Sequence, residues 1–134
     1  MKVAIARDRL QQLVGADLGT GHWTVLSRDR VKLFGEAVGP SGEEVPTMLL
    51  LSLIPALISA IKLPIDPPQT AVNYGLDVCR SGKPARVGDR VRAQATLLGV
   101  EEGSTWLQIK RRVILEDEAG EPVLEAETLT RLFW

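Results

Sequence analysis

Between Val45 and Ile61 the chain runs for 17 residues, VPTMLLLSLIPALISAI, without a charged side chain, although 25% of the whole sequence is Asp, Glu, Lys or Arg. A membrane-spanning helix needs about 20 consecutive apolar residues. This run is shorter and carries Pro55 in its middle, which would break a spanning helix. A helix that is apolar all round has to be covered all round. The run therefore predicts a buried central helix, opened by Pro46 at a position where proline is tolerated. A sheet would wrap it, and a second copy of the chain would close it off.

Composition narrows the possibilities. A chain of 134 residues predicts one domain, spanning 1–134, large enough to bury a real core. Sixteen basic residues against 17 acidic ones give a net charge of −1, which offers no electrostatic footprint for nucleic acid or an anionic membrane. The single cysteine, Cys79, excludes an internal disulfide and a cysteine-rich metal site, and no metal or cofactor is expected. At the start, Arg7, Asp8 and Arg9 stand where a secretion signal would need its apolar core. That pattern predicts a cytoplasmic protein.

Local patterns place the other elements. Residues 4–14 fit a short helix with Leu10, Leu13 and Val14 on one side, and Gly15 and Gly19 then break the chain. His22–Leu26 is a β-prone run. Ser27 predicts a helix N-cap, with Asp29 in the first turn and Val31 and Phe34 at helical spacing. Gly39-Pro40-Ser41-Gly42 stops that helix. After a proline-rich loop the period changes to that of strands: Thr70–Arg80, Arg90–Leu97, Trp106–Leu115 and Glu121–Trp134. Val91, Ala93, Ala95 and Leu97 share one face, as do Leu107, Ile109, Val113 and Leu115, and then Leu124, Ala126 and Leu132. Asp117–Glu121, with Gly120, reads as a hairpin turn. In one register it sets Glu125 opposite Arg112 and Glu127 opposite Lys110. Two helices followed by four strands in a meander predict an α+β fold.

Several words in this layout resemble the MaoC-like dehydratases, and their NodN-like branch in particular. They are Gly21-His22-Trp23-Thr24-Val25, Arg30-Val31-Lys32-Leu33-Phe34, Leu51-Ser52-Leu53-Ile54-Pro55, Val72-Asn73-Tyr74-Gly75-Leu76-Asp77 and Pro84 to Ala93, PARVGDRVRA. The match runs from about Gly15 to the C-terminus. The resemblance implies a hot-dog fold, an antiparallel sheet around a long central helix, with protomers joined edge to edge as a dimer or larger homo-oligomer. It implies acyl thioesters of coenzyme A as substrates and enoyl-CoA hydration as the reaction. It further implies an Asp and a His in a word like GDxNPxHxD, which activate water together, and a Gly whose N–H polarises the thioester carbonyl.

At that word the chain departs from the family. Pro40 stands at the Asp position, Ser41-Gly42-Glu43-Glu44-Val45-Pro46 follows, and the helix begins at once. The only histidine is His22. Thr47 takes the place of the oxyanion Gly, where its Cβ crowds a carbonyl. Substitute acid–base groups are Glu43, Glu44 and His22, each of which also reads as a solvated loop or strand residue. Thr47, Met48, Ser52, Asn73, Tyr74 and Gly75 are the candidate substrate-binding residues. Asn73 and Tyr74 read equally as structural hydrogen-bonding groups, and Ser52 as bonding back to the carbonyl four residues earlier. Arg80, Lys83, Arg86, Arg90 and Arg92 form a basic run that reads either as a coenzyme A phosphate contact or as a solvated face. Cys79 reads as inert.

The functional expectation is thus a hot-dog protein of the enoyl-CoA hydratase superfamily without the usual dyad, binding an acyl thioester or serving as a non-catalytic subunit. An active hydratase or thioesterase using the substitute groups is the alternative. A structural subunit without ligand is the third reading.

Overall fold

A computed structural model describes residues 2–40 and 42–134 of the chain. Met1 and Ser41, the latter part of the expected helix stop, lie outside the described residues. The elements in order are α1 (Lys2–Gln11), β1 (Asp17–Thr20), β2 (Thr24–Val25), α2 (Arg28–Val38), α3 (Thr47–Ile58), β3 (Thr70–Ser81), β4 (Arg90–Glu102), β5 (Leu107–Glu116) and β6 (Pro122–Phe133). The strands form one antiparallel sheet in the order β1-β4-β5-β6-β3, with β2 also on β4.

The Ser27 hydroxyl caps α2 by accepting the Arg30 N–H at 3.2 Å. At the other end of α2, Gly39 has φ +121° and donates its N–H to the Gly35 carbonyl. That backbone angle disfavours a side chain, so a glycine ends the helix here.

The long apolar run forms a helix of 12 residues rather than the full stretch to Ile61, and Pro46 is its N-cap rather than its first residue. Leu49, Leu50, Ile54, Leu57 and Ile58 are buried on one face. Each such burial is worth about 1.5–3 kcal/mol against exposure. The opposite stripe, Met48, Ser52, Pro55, Ala56 and Ser59, is exposed. The expectation of burial on every side therefore holds for half the helix within one chain, because a single sheet covers a single face.

The concave face of the sheet carries the core. Its buried residues are those of the expected alternation on β4, β5 and β6. α3 packs on Val91, Ala93, Ala95, Val113, Leu115, Leu124 and Ala126. α1 covers the other end, placing Ala6 and Leu10 on Leu97, Leu107, Ile109 and Leu132. At Gly21 an added Cβ would lie 2.3 Å from the Leu57 carbonyl oxygen. A glycine there lets the end of α3 settle onto the strand region.

Three expectations change. β1, where Gly15 and Gly19 read as a break, pairs with β4 through a bulge at Leu18, between Asp17 and Gly19. Only β4, β5 and β6 form a meander: β3 crosses over to pair with β6 at the far edge. The β5–β6 register sets Arg112 opposite Glu127 and Ile114 opposite Glu125, two residues from the expected one. The expected ion pairs still form, but diagonally, with Lys110 3.2 Å from Glu127 and Arg112 3.6 Å from Glu125. Long side chains span that diagonal.

Candidate functional site

Between the patches covered by α1 and α3, the concave face is not apolar. On β5 the inward positions run Leu107, Ile109, Arg111, Val113, Leu115, and every one except Arg111 is fully buried and apolar. Its cross-strand neighbours are Leu97 on β4 and Thr128 on β6, and Thr128 in turn faces Leu76 on β3. One position along, Thr130 faces Asn73. Strand alternation thus gathers a guanidinium, two hydroxyls and an amide onto one patch of the inner surface.

These groups line a cavity of about 420 Å³ between α3 and strands β3, β5 and β6. Leu51, Ser52, Ile54, Pro55 and Ile58 form the helix wall, and Leu76 and Leu129 add apolar surface. A second cavity, of about 760 Å³, extends along the proline-rich loop and shares Pro55, Ile58, Asn73, Arg111 and Thr130 with the first. Arg111 stands where the two join. Pro55 has no N–H to donate to the Leu51 carbonyl, so the helix wall at this point has one backbone bond fewer.

Arg111 donates from Nη2 to the Thr130 hydroxyl at 3.1 Å. Its Nε is buried without an acceptor, as is the Thr128 hydroxyl opposite it. No carboxylate is among the residues lining the 420 Å³ cavity. Burial lowers the guanidinium pKa to about 10, which still leaves it charged at neutral pH. Sequence reasoning missed this residue, although the signal was present: Arg111 falls in phase with four core positions of its strand.

Of the expected binding residues, the structure brings Ser52, Asn73 and Gly75 together in this cavity. The Ser52 hydroxyl donates to the Leu49 carbonyl at 2.6 Å, three residues back rather than four. Tyr74 lies at a bulge between Asn73 and Gly75 and is turned away, its ring 3.6 Å from the Arg131 guanidinium. Thr47 opens α3 and Met48 is 63% exposed, and neither lines this cavity.

No protein-family model matches the chain. A 3-hydroxyacyl-thioester dehydratase Z from Mycobacterium tuberculosis is 29% identical to it, over 91% of this chain and 92% of the relative. Among solved structures, the MaoC-like dehydratase from Rhodospirillum rubrum superposes with a TM-score of 0.76 at 16% identity, covering 92% of this chain and 95% of that one. The chain has the MaoC-like hot-dog fold. A subunit of the C-terminally truncated HadBC (3R-hydroxyacyl-ACP dehydratase) complex from Mycobacterium tuberculosis superposes on this hot-dog chain with a TM-score of 0.63 at 17% identity. That match covers 89% of this chain and 96% of the subunit.

The acid–base candidates lie elsewhere on the hot-dog scaffold. Glu43 is held by Arg28 through two hydrogen bonds of 2.8 and 3.2 Å. Those bonds, and then the charge of Arg28, keep its carboxyl below the ordinary range. A carboxylate held this way is a poorer proton acceptor. Glu44 forms a β-bridge to Arg86, and the neighbouring Val45 N–H donates to the Ala85 carbonyl, so this loop is stitched to the segment before β4. His22 is exposed, and among the described residues no carboxylate pairs with it. None of the three lines the 420 Å³ cavity. A separate cavity of about 500 Å³ beside α2 is lined by Arg28, Lys32, Glu36, Pro40 and Gly42 among others.

Within the basic run, Lys83 meets Asp117 at 3.0 Å and Glu121 at 3.2 Å, Arg92 meets Glu116 at 2.7 Å, and Arg90 lies 3.8 Å from Glu118. Arg90 and Arg92 also stack on Trp23. Cys79 is exposed on β3. Among the described residues there is no cluster of metal-ligating side chains, and no helix is long and apolar enough to cross a membrane.

Proposed function

We propose that this chain binds an acyl thioester, such as an acyl-CoA, without hydrating it, or serves as the non-catalytic subunit of a hot-dog assembly. The observation that carries the reading is the separation of cavity from acid–base chemistry. An apolar cavity large enough for a small ligand opens beside α3, yet its wall holds neither a carboxylate nor a histidine. Hydration of an enoyl thioester needs a base to take a proton from water and an acid to return one at the α-carbon. Arg111 does neither at neutral pH, since it stays protonated. The dehydratase relatives support the thioester class of ligand, and the HadBC neighbour supports a paired assembly.

The assembly we propose is a homo-oligomer, at least a dimer, with copies meeting along β3. That strand ends the sheet order, has 12 residues, and exposes Val72, Tyr74 and Leu76. An edge of this length is a template for pairing. Sedimentation should find a dimer, and Val72→Lys, at an exposed position outside both cavities, should shift it towards monomer.

A crotonyl-CoA hydration assay, run beside calorimetric titration with octanoyl-CoA, tests the ligand reading. Octanoyl-CoA should bind while crotonyl-CoA is not turned over above background. Turnover in the wild type that disappears in Glu43→Gln, Glu44→Gln or His22→Gln would establish the active alternative. Absence of both binding and turnover would leave the structural-subunit reading.

A further inference from the structure

We propose that the cavity at Arg111 is a binding site for the carboxylate of an aliphatic acid, with the head on Arg111, Thr128 and Thr130 and the chain along Leu51, Ile54 and Leu129. This goes beyond the thioester reading and does not depend on it. A guanidinium has five N–H donors in a planar fork, and here one donates to Thr130 while Nε is buried without an acceptor. The Thr128 hydroxyl beside it is buried and equally unpartnered. Leaving such groups unmatched is costly, and a carboxylate matches both: it accepts from the fork in bidentate fashion and accepts a hydrogen bond donated by the Thr128 hydroxyl.

The rest of the wall selects the ligand's other end. It is mostly apolar, and it contains no carboxylate to repel an anion or to compete for Arg111. Nor does the wall of this 420 Å³ cavity contain a second cation, which the second charge of a phosphate would call for; Lys62 lines only the adjoining 760 Å³ cavity. One guanidinium over an apolar trough therefore fits a monoanionic head on a hydrocarbon chain. The same carboxylate can belong to a free fatty acid or to the far end of a dicarboxylic acyl thioester.

Calorimetric titration with octanoate, octanol, octanoyl-CoA and the mono-CoA thioester of octanedioic acid tests the proposal. The proteins are wild type, Arg111→Met, Arg111→Lys and Arg112→Met. Octanoate should bind wild type more tightly than octanol does. Arg111→Met should weaken octanoate about tenfold or more while leaving octanol unchanged. Arg111→Lys should recover part of the loss, and Arg112→Met should bind like wild type. If the octanedioic thioester binds more tightly than octanoyl-CoA, and that advantage vanishes in Arg111→Met, the carboxylate is the end of an acyl thioester. If only octanoate shows the Arg111 dependence, it is a free acid. Binding of octanoate without octanoyl-CoA would remove the thioester reading and keep this one.

Octanol binding as tightly as octanoate, affinity indifferent to Arg111, or no binding of either carboxylate would overturn the proposal. Should Arg111→Met lose its fold by circular dichroism, Thr128→Val takes its place. It should weaken octanoate several-fold, and unchanged affinity in that variant would overturn the proposal too.

Discussion

Lys110, Arg111 and Arg112 are consecutive basic residues on one strand, and the two faces of the sheet treat them in opposite ways. Lys110 and Arg112 point to the convex face, where Lys110 meets Asp77 at 2.8 Å and Glu127 at 3.2 Å and Arg112 meets Glu125 at 3.6 Å. Arg111 points to the concave face, where one threonine hydroxyl accepts from it and no carboxylate does. On the convex side Lys110 and Arg112 keep part of their side chains in water and have carboxylates within reach, although the Arg112 Nε is itself buried without a hydrogen-bond partner, so pairing there is cheaper to lose. On the concave side the Arg111 guanidinium is mostly desolvated and its Nε is buried without an acceptor, so an unmatched charge there is a standing cost. A cost of that kind persists where it serves binding, which is why the middle residue of the three draws the functional argument.

The largest test of this contrast compares neighbours beyond the basic triplet. Val113→Asp places a carboxylate in the fully buried core and should lower unfolding free energy by about 3–5 kcal/mol in urea titration. Ile114→Asp, on the other face, should cost about 1 kcal/mol or less. Equal losses would erase the distinction between the faces.

A smaller effect of opposite sign is expected at Arg111. Without ligand, Arg111→Met should stabilise the chain by about 1–3 kcal/mol, because it removes buried unmatched donors and keeps the apolar stem. Arg112→Met should stay within about 0.5 kcal/mol of wild type. If Arg111→Met destabilises instead, the residue is a structural member of the core and the contrast breaks.

Alkaline pH sharpens the comparison further. Burial lowers the Arg111 pKa from its ordinary value to about 10, so above that pH the unfolded chain holds the proton more firmly. The penalty is complete below about pH 10 and fades as pH rises further towards the ordinary arginine value. Hydrogen bonds to Asp77 and then Glu127 raise the Lys110 pKa above its ordinary 10.5. Its contribution is present below that value and is lost as pH climbs through the raised one. The advantage of Arg111→Met over wild type should therefore shrink in urea titrations above pH 10, and that of wild type over Lys110→Met should shrink as well. The smallest effect is Lys110→Met at neutral pH: a slight fall in melting temperature at low salt that disappears at high salt.

Much of this architecture is legible in the residues. Period-two alternation on β4, β5 and β6 marked the core face, because a strand half buried against helices must alternate. Ser27 marked the start of α2, since its side chain is suited to an exposed helical N–H. The apolar run marked α3, and the words around Asn73 and Gly88 carried the fold. What was not legible depends on long-range pairing. The place of β3 beyond β6, the two-residue difference in register and the bulge that turns Tyr74 away all depend on partners distant in sequence. Pro40 and the single histidine could be read directly from the residues; the lack of a carboxylate or histidine in the cavity wall around Ser52 and Asn73 could not.

The sequence by itself determined which face of β4, β5 and β6 is buried, where α3 lies, and that Pro40 and no histidine stand shortly before it, because these follow from local period and residue identity. It also placed Arg111 in phase with the core of β5. Only the tertiary structure decided what that meant. Helices α1 and α3 cover the apolar residues on either side of Arg111 and leave the gap between them open. Whether a buried position becomes packed core or cavity depends on where the covering helices end, and the strand's own sequence does not encode that.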